Sequence, residues 1–432
     1  MKRVIVMILS LAVMLSGTAV FAAAPDAGYK FTDLVYGEGT YVALAKDENL
    51  SHAYLYYSTD GITWQQTKNE PTNLKTWSEI SANKNSQQQL EYWADKGMFV
   101  VHSAKSTYTS DDGITWNDDY SDKLHLSSNS MITTIGNQYI TVAGRNISNS
   151  DLNVTSKGTK HLIESLPTNY YAMTVAAKPV DENRRIHIFI NGYTNPYDIY
   201  LNVANNTYSD FQKNSGAGMQ APYDMVYAKG ANQFVSVDGS ENICAAIDSK
   251  NIKKFTIKPN VNVTGVNASD KYIVVGMSDG TMYYTNNAPI TSDTVWTEIK
   301  PFAGASAGTE PVKNFAFSSD SEFVALGTTQ IYKGSIDGYC NVSEYNTLPQ
   351  ISTPDFSQKV ISQNDGYHAK TASFEITQAN DKIKGVKVTV NGESQTKSLA
   401  NVDATMKFGI ILISDNAEKL DKAQVSVQML TE

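Results

Sequence analysis

One short pattern recurs along most of the chain, and its spacing restricts the fold more than any other feature. The copies are Tyr41-Val42-Ala43-Leu44, Phe99-Val100-Val101-His102, Tyr139-Ile140-Thr141-Val142 and His187-Ile188-Phe189-Ile190. Phe234-Val235-Ser236-Val237, Tyr272-Ile273-Val274-Val275 and Phe323-Val324-Ala325-Leu326 complete the set. Successive copies lie 58, 40, 48, 47, 38 and 51 residues apart. Turn residues, among them Gly39, Gly97, Asn137, Asn232, Asp270 and Asp320, precede most of them, so each copy reads as the second arm of a hairpin. A period of about 40 to 50 residues with several strands in each is the signature of propeller blades. Seven copies count about seven blades, and six or eight would fit the same periodicity. Helical periodicity is nearly absent, and 25 tyrosines favour strands. The expected class is all-β: a β-propeller of about seven blades, followed by a small C-terminal β-sandwich.

A second pattern is sharper. Tyr56-Tyr57-Ser58-Thr59-Asp60-Gly61-Ile62-Thr63-Trp64 is echoed by Tyr108-Thr109-Ser110-Asp111-Asp112-Gly113-Ile114-Thr115-Trp116. Asp-Gly supplies the positive φ of a tight turn, and the carboxylate accepts backbone N–H groups across it. Ser58 and Ser110 add local hydrogen bonds, and Trp64 and Trp116 offer large apolar bodies to bury beside the turn. Weaker relatives lie at Tyr283-Tyr284-Thr285-Asn286-Asn287, with Trp296 beyond it, and at Asn205-Asn206-Thr207.

These two copies resemble the Asp-box, or BNR repeat, of sialidase-type propellers and of many exported propellers without enzymatic activity. The usual box has one residue between Asp and Gly, whereas Asp60-Gly61 and Asp112-Gly113 are adjacent. The resemblance implies a propeller over roughly residues 28–346, with structural boxes at the blade periphery. It does not carry sialidase activity with it. That activity needs three converging arginines whose planar forks pair with a substrate carboxylate. Beyond residue 22 the only arginines are Arg145, Arg184 and Arg185, and the last two, as strand neighbours, would point to opposite faces.

Other chemistry finds equally little support. A glycosidase needs two carboxylates about 5 to 10 Å apart. Asp224, Asp238, Asp270 and Glu322 lie near inner-strand ends, where turn or solvated roles are expected. The six histidines are scattered without metal-ligand spacing. Asp111, Asp112, Asp118, Asp119 and Asp122 cluster as oxygen ligands for calcium would, but without the spacing of a known calcium loop. No cofactor is expected beyond that calcium option, and no catalytic residue or metal ligand stands out.

Binding features are softer. The segment Asn191 to Asp198 carries Tyr193 and Tyr197 among turn residues, and the insertion after the first blade carries Trp77 and Trp93. Such aromatics suit a sugar or protein surface when exposed, or pack between blades when buried. A net charge of −9 without a basic run argues against nucleic acid. The expected partner is a carbohydrate or a cell-surface protein, and the expected state is monomeric.

The ends complete the organisation. Met1-Lys2-Arg3, an apolar run from Val4 to Leu15 and Ala19-Val20-Phe21-Ala22 read as a signal peptide cut after Ala22. That run is short of the ~20 residues that span a bilayer, so the mature chain is expected to be secreted without membrane insertion. Cys244 and Cys340 make no disulfide framework; two buried thiols or a single bridge fit them. The propeller is expected over 23–347, a Pro-containing linker over 348–358 and the C-terminal domain over 359–432, with Asn391-Gly392 as a hairpin turn.

Overall fold

The computed structural model describes residues 5–12, 29–47, 53–67, 90–102, 107–117, 130–135, 138–143, 150–156, 159–166, 172–179, 185–192, 196–202, 207–213, 224–302, 304–345, 350–351, 355, 360–362, 367–378, 383–390, 393–398 and 406–431. They fall into two compact units. One holds residues 22–300 and 307–342, and the other holds 1–21, 301–306 and 343–432.

The larger unit is a β-propeller. Among the described residues, six antiparallel sheets have four strands each in simple meander order, spanning 29–66, 130–166, 172–213, 224–256, 263–299 and 314–341. A three-stranded sheet spans 90–110. The first strand of every sheet is innermost. These strands are neighbours in the cyclic order Tyr29–Gly37, Leu90–Trp93, Ser130–Ile135, Ala172–Lys178, Asp224–Ala228, Val263–Ala268, Asn314–Phe317 and back to Tyr29–Gly37. Each sheet is built from consecutive strands, so the ring closes by packing between sheets. Phe31 N–H also donates to Thr328 O at 2.9 Å across that closure.

The recurring motif lies on the second strand of its sheet in every copy. A strand shows alternate side chains to opposite faces, and here both faces meet a neighbouring sheet. Among the described residues, cores fill five of these gaps. Tyr41, Ala43 and Trp64 pack with Val324, Leu326 and Ile331. Val42 and Leu44 pack with Leu90, Phe99 and Trp116 on the other side of the same sheet. The turns before the motif take the expected shapes: Gly39, Gly97 and Asn232 have φ of 79°, 61° and 53°. Cys244 and Cys340 are both buried and do not form a bridge, and burial pushes the Cys244 thiol up to about 12.

The smaller unit contains two sheets that bury one core. Phe374, Ile376, Phe408, Ile410 and Leu412 of one meet Val386, Val388 and Val390 of the other. Ile383–Val390 and Glu393–Ser398 pair with Val390 opposite Glu393, while Asn391 and Gly392 lie outside the described residues. Part of the 348–358 segment, expected as a linker, belongs to this unit instead. Gln350–Ile351 pairs with His368–Gln378, and Asp355 N–H donates to Ser373 O at 2.6 Å. The apolar N-terminal stretch contributes Ile5–Ala12 as a strand antiparallel to Met406–Ser414. No described helix is long and apolar enough to cross a membrane.

Candidate functional site at the propeller axis

The inner strands carry a set of polar side chains that face the axis. Leu34 N–H donates to Asp33 Oδ1 at 2.9 Å, and Leu90 N–H of the next sheet donates to Asp33 Oδ2 at 2.8 Å. Asp224 repeats this arrangement: Met225 N–H donates to Oδ1 at 2.9 Å and Val266 N–H of the following sheet to Oδ2 at 3.1 Å. Glu91 Oε1 accepts from Thr134 N–H at 2.8 Å. Asn267 Nδ2 donates to Phe315 O, while its Oδ1 accepts from Ala268 N–H at 2.7 Å. Each clamp satisfies a backbone group that the inner edge of a sheet leaves unpaired.

Asp33, Glu91, Asp224, Asn267 and Asn314 line one cavity of about 170 Å³. Its walls include Leu34, Val35, Met225, Val226, Val266 and Phe315. An adjoining cavity of about 370 Å³ shares Glu91, Met225 and Val226 and reaches Tyr227 and Lys229. Desolvation raises the Glu91 carboxyl to about 7 against the hydrogen bonds from Thr134 and Thr133, which favour its ionised form. It raises Asp224 to about 6 in the same way.

Asp224 therefore does not occupy the turn or solvated role expected of it. It is the first residue of an inner strand, with both oxygens held. Asp270 and Glu322 are exposed, and Asp238 is buried with Lys254 Nζ at 3.2 Å. Asp33, Glu91, Asn267 and Asn314 are site residues that no sequence motif singled out. A signal existed: Asp33-Leu34-Val35-Tyr36 and Asp224-Met225-Val226-Tyr227 share one pattern, an acid heading an apolar inner run.

The two nine-residue boxes share one turn, each starting in the third strand of its sheet and turning at the strand's end, and they differ at the Trp, where Trp64 Nε1 donates to Gly61 O at 3.3 Å and Trp116 Nε1 has no partner. Ser58 Oγ donates to Asp60 Oδ1 at 2.9 Å, and that oxygen accepts from Ile62 and Thr63 N–H, both at 2.7 Å. Gly61 N–H donates to Ser58 Oγ at 2.8 Å. Ser110, Asp112, Gly113, Ile114 and Thr115 reproduce those bonds at 2.8 to 2.9 Å. Partial burial works to raise the Asp60 and Asp112 carboxyls, but the donors outweigh it and hold both below the usual range. Trp64 and Trp116 are buried. The weaker relative at Asn287 also ties sheets together, accepting from Ala231 N–H at 2.8 Å and donating to Ser269 O at 2.7 Å. Asn205-Asn206 lies outside the described residues.

The aromatic binding candidates separate. Tyr197 is not on a loop: it sits in the strand Pro196–Asn202, with 1% of its surface exposed. Its neighbour Asp198 links sheets, with Oδ1 2.8 Å from His187 Nε2 and Oδ2 accepting from Ser249 N–H at 2.8 Å. Trp93 ends an inner strand and is buried. Both residues are thus buried rather than presented at a surface. Tyr193 and Trp77 lie outside the described residues, as do Arg145, Arg184, Asp118, Asp119 and Asp122. Arg185 stacks its guanidinium 5.0 Å from the Tyr200 ring.

No protein-family model and no curated protein matches the chain. Solved structures similar to it are propellers among others. The Dos1 propeller aligns at 10% identity and TM-score 0.44, over 72% of this chain and 93% of its own. The WD40 β-propeller domain of Doa1 aligns at 12% and 0.45, over 74% and 94%. The extracellular domain of BT4673 from B. thetaiotaomicron aligns at 8% and 0.41, over 89% of this chain and 49% of that one.

Proposed function

We propose that the chain is an exported, non-catalytic binding or scaffold protein that recognises a carbohydrate or a cell-surface protein through the propeller face. In this reading residues 1–22 are a signal peptide, the 90–110 sheet counts as a seventh blade, and the C-terminal unit is a β-sandwich that spaces or docks the propeller. The Asp60 and Asp112 turns are structural boxes of the sialidase-type kind. One observation supports a non-catalytic reading: in Asp33 and in Asp224 one oxygen accepts from the next residue of its own strand and the other from a backbone N–H of the neighbouring inner strand. A carboxylate that holds two strands together is poorly placed to deliver a proton or attack a sugar.

A second reading, a glycoside hydrolase or lyase, draws on Glu91 and Asp224 lining one cavity with raised pKa values. A glycan array and a cell-surface binding assay with the purified chain, run beside an aryl-glycoside and polysaccharide activity screen, decide between them. Saturable binding without turnover supports the first reading. Turnover that disappears in both Glu91→Gln and Asp224→Asn overturns it in favour of the second.

A further inference from the structure

The axial cavity has a surplus of one kind of hydrogen-bonding group. Asp33, Glu91 and Asp224 line it, and among the described residues no Lys, Arg or His does. The cation at its rim is Lys229, which lines the adjoining cavity and stands 3.7 Å from Asp270. Acceptors already in use are those of the clamps. Among the described residues lining it, Glu91 Oε2 and Asn314 Oδ1 are buried and have no hydrogen-bond partner.

Asn314 is the informative one. It pairs with Leu326, the third residue past the repeated aromatic Phe323. Asp33 pairs with Leu44 and Asp224 with Val237, each likewise the third past Tyr41 and Phe234. The three residues therefore occupy one register position in three sheets. In two of them one carboxylate oxygen accepts from the neighbouring strand and the other from the next residue of its own, but the single side-chain oxygen of Asn314, a residue only 6% exposed, has no partner. A buried acceptor without a donor forfeits its hydration unrepaid, so a ligand that supplies donors and no acceptors gains from meeting it.

We propose that this cavity binds the ammonium end of a primary amine, with Glu91 Oε2 and Asn314 Oδ1 accepting from it and the aliphatic wall taking its alkyl stem. An ammonium group offers three donors and no acceptor. A cavity of about 170 Å³ matches roughly six water volumes, room for a short alkylammonium. Among the described residues no three His, Cys, Asp or Glu side chains are grouped to share a metal ion, which favours an amine over a divalent cation. The proposal rests on the binding reading above and names what that binding site accepts. Two sources share the chemistry: a free amine or amino sugar, and a lysine side chain of a partner protein.

Calorimetry and thermal shift on the full chain at pH 8 test it, using n-butylamine, Nα-acetyl-lysine methylamide and glucosamine as probes, with n-butanol and calcium chloride as controls. Saturable one-to-one binding of n-butylamine but not n-butanol is expected. Glu91→Gln should weaken it about tenfold, and Asn314→Asp, which adds charge without volume, should strengthen it. Affinity should fall several-fold from pH 8 to pH 5.5 as Glu91, with Asp33 and Asp224 facing it across the cavity and Lys229 at the rim, takes up a proton. The lysine amide binding better than glucosamine points to a protein partner, and the reverse to a sugar; both support the site. Equal responses to n-butylamine and n-butanol, or stronger binding of calcium than of any amine, overturn it. Glycan or cell-surface binding that persists in Glu91→Gln leaves the broader binding reading standing while the cavity assignment fails.

Discussion

Gly61 and Val324 touch across the closure of the ring: a Cβ on Gly61 would lie 2.7 Å from Val324 Cγ2. Gly113 and Val42 repeat the relationship one sheet further on, at 2.6 Å. Val324 and Val42 each come directly after the repeated aromatic, and Gly61 and Gly113 have φ of 75° and 74°. The box turn of one sheet is thus seated on the second strand of the sheet before it. Gly61→Ala and Gly113→Ala should each destabilise by about 2 kcal/mol or more, from left-handed backbone strain and the clash together. Adding Val324→Ala should couple favourably to Gly61→Ala and not to Gly113→Ala. Urea unfolding of the singles and doubles checks this, and additivity in the matched pair would refute the contact.

Asp198 makes a second inter-sheet link that the repeat hides, accepting from Ser249 N–H of the next sheet while His187 of its own sheet holds its other oxygen. His187 stands where other copies carry Tyr or Phe, so His187→Phe restores the motif. It should nevertheless destabilise, because Asp198 is 2% exposed and its Oδ1 loses its partner. Asp198→Ala also orphans Ser249 N–H and should cost about 3 kcal/mol. Melting temperatures that rise in His187→Phe would contradict the assignment.

The second strands were legible because period and aromatic order are local properties. The box turns were legible because Asp60-Gly61 fixes its own geometry within nine residues. What was not legible is convergence. Asp33, Glu91 and Asp224 lie far apart in the chain, and only ring closure brings them to one axis. Tyr197 misled for a related reason. Asn191 to Asp198 has loop composition, yet Asp198 is a strand residue whose charge is satisfied by His187 and by Ser249, 51 residues away in sequence.

Glu91 and Asp224 make stability depend on pH. Their ordinary values are 4.5 and 3.8, and the folded chain raises them to about 7 and about 6. The folded state therefore binds these protons more tightly than the unfolded state. The resulting stability is fully present below about pH 4 and is lost as pH rises through 7. Shifts of this size correspond to about 3 kcal/mol per group. Urea midpoints should fall from pH 5 to pH 8. Glu91→Gln should flatten the slope and be more stable than the parent at pH 8, because no charge has to be buried there. A parent whose midpoint rises over that interval would show that the carboxyls are not desolvated.

The strand Met406–Ser414 raises a separate expectation about a chain lacking residues 1–22. Its buried residues Phe408, Ile410 and Leu412 face the core, and Lys407 is its only charge. One edge pairs with His368–Gln378 and the other with Ile5–Ala12, Ile5 opposite Ile413 and Ala12 opposite Met406. If export removes residues 1–22, that second edge loses its partner. A nine-residue aliphatic edge without proline or bulge is a template for another strand. A chain beginning at Ala23 should therefore self-associate at concentrations where the full chain does not, against the monomer that composition suggests. Ile411 is half-buried and alternates with the core-facing residues, so Ile411→Lys places a charge on the strand without emptying the core. Light scattering should show association reversed by that substitution. Equal masses for the two chains at about 100 micromolar would refute the expectation, because an uncovered edge of this composition would then carry no cost.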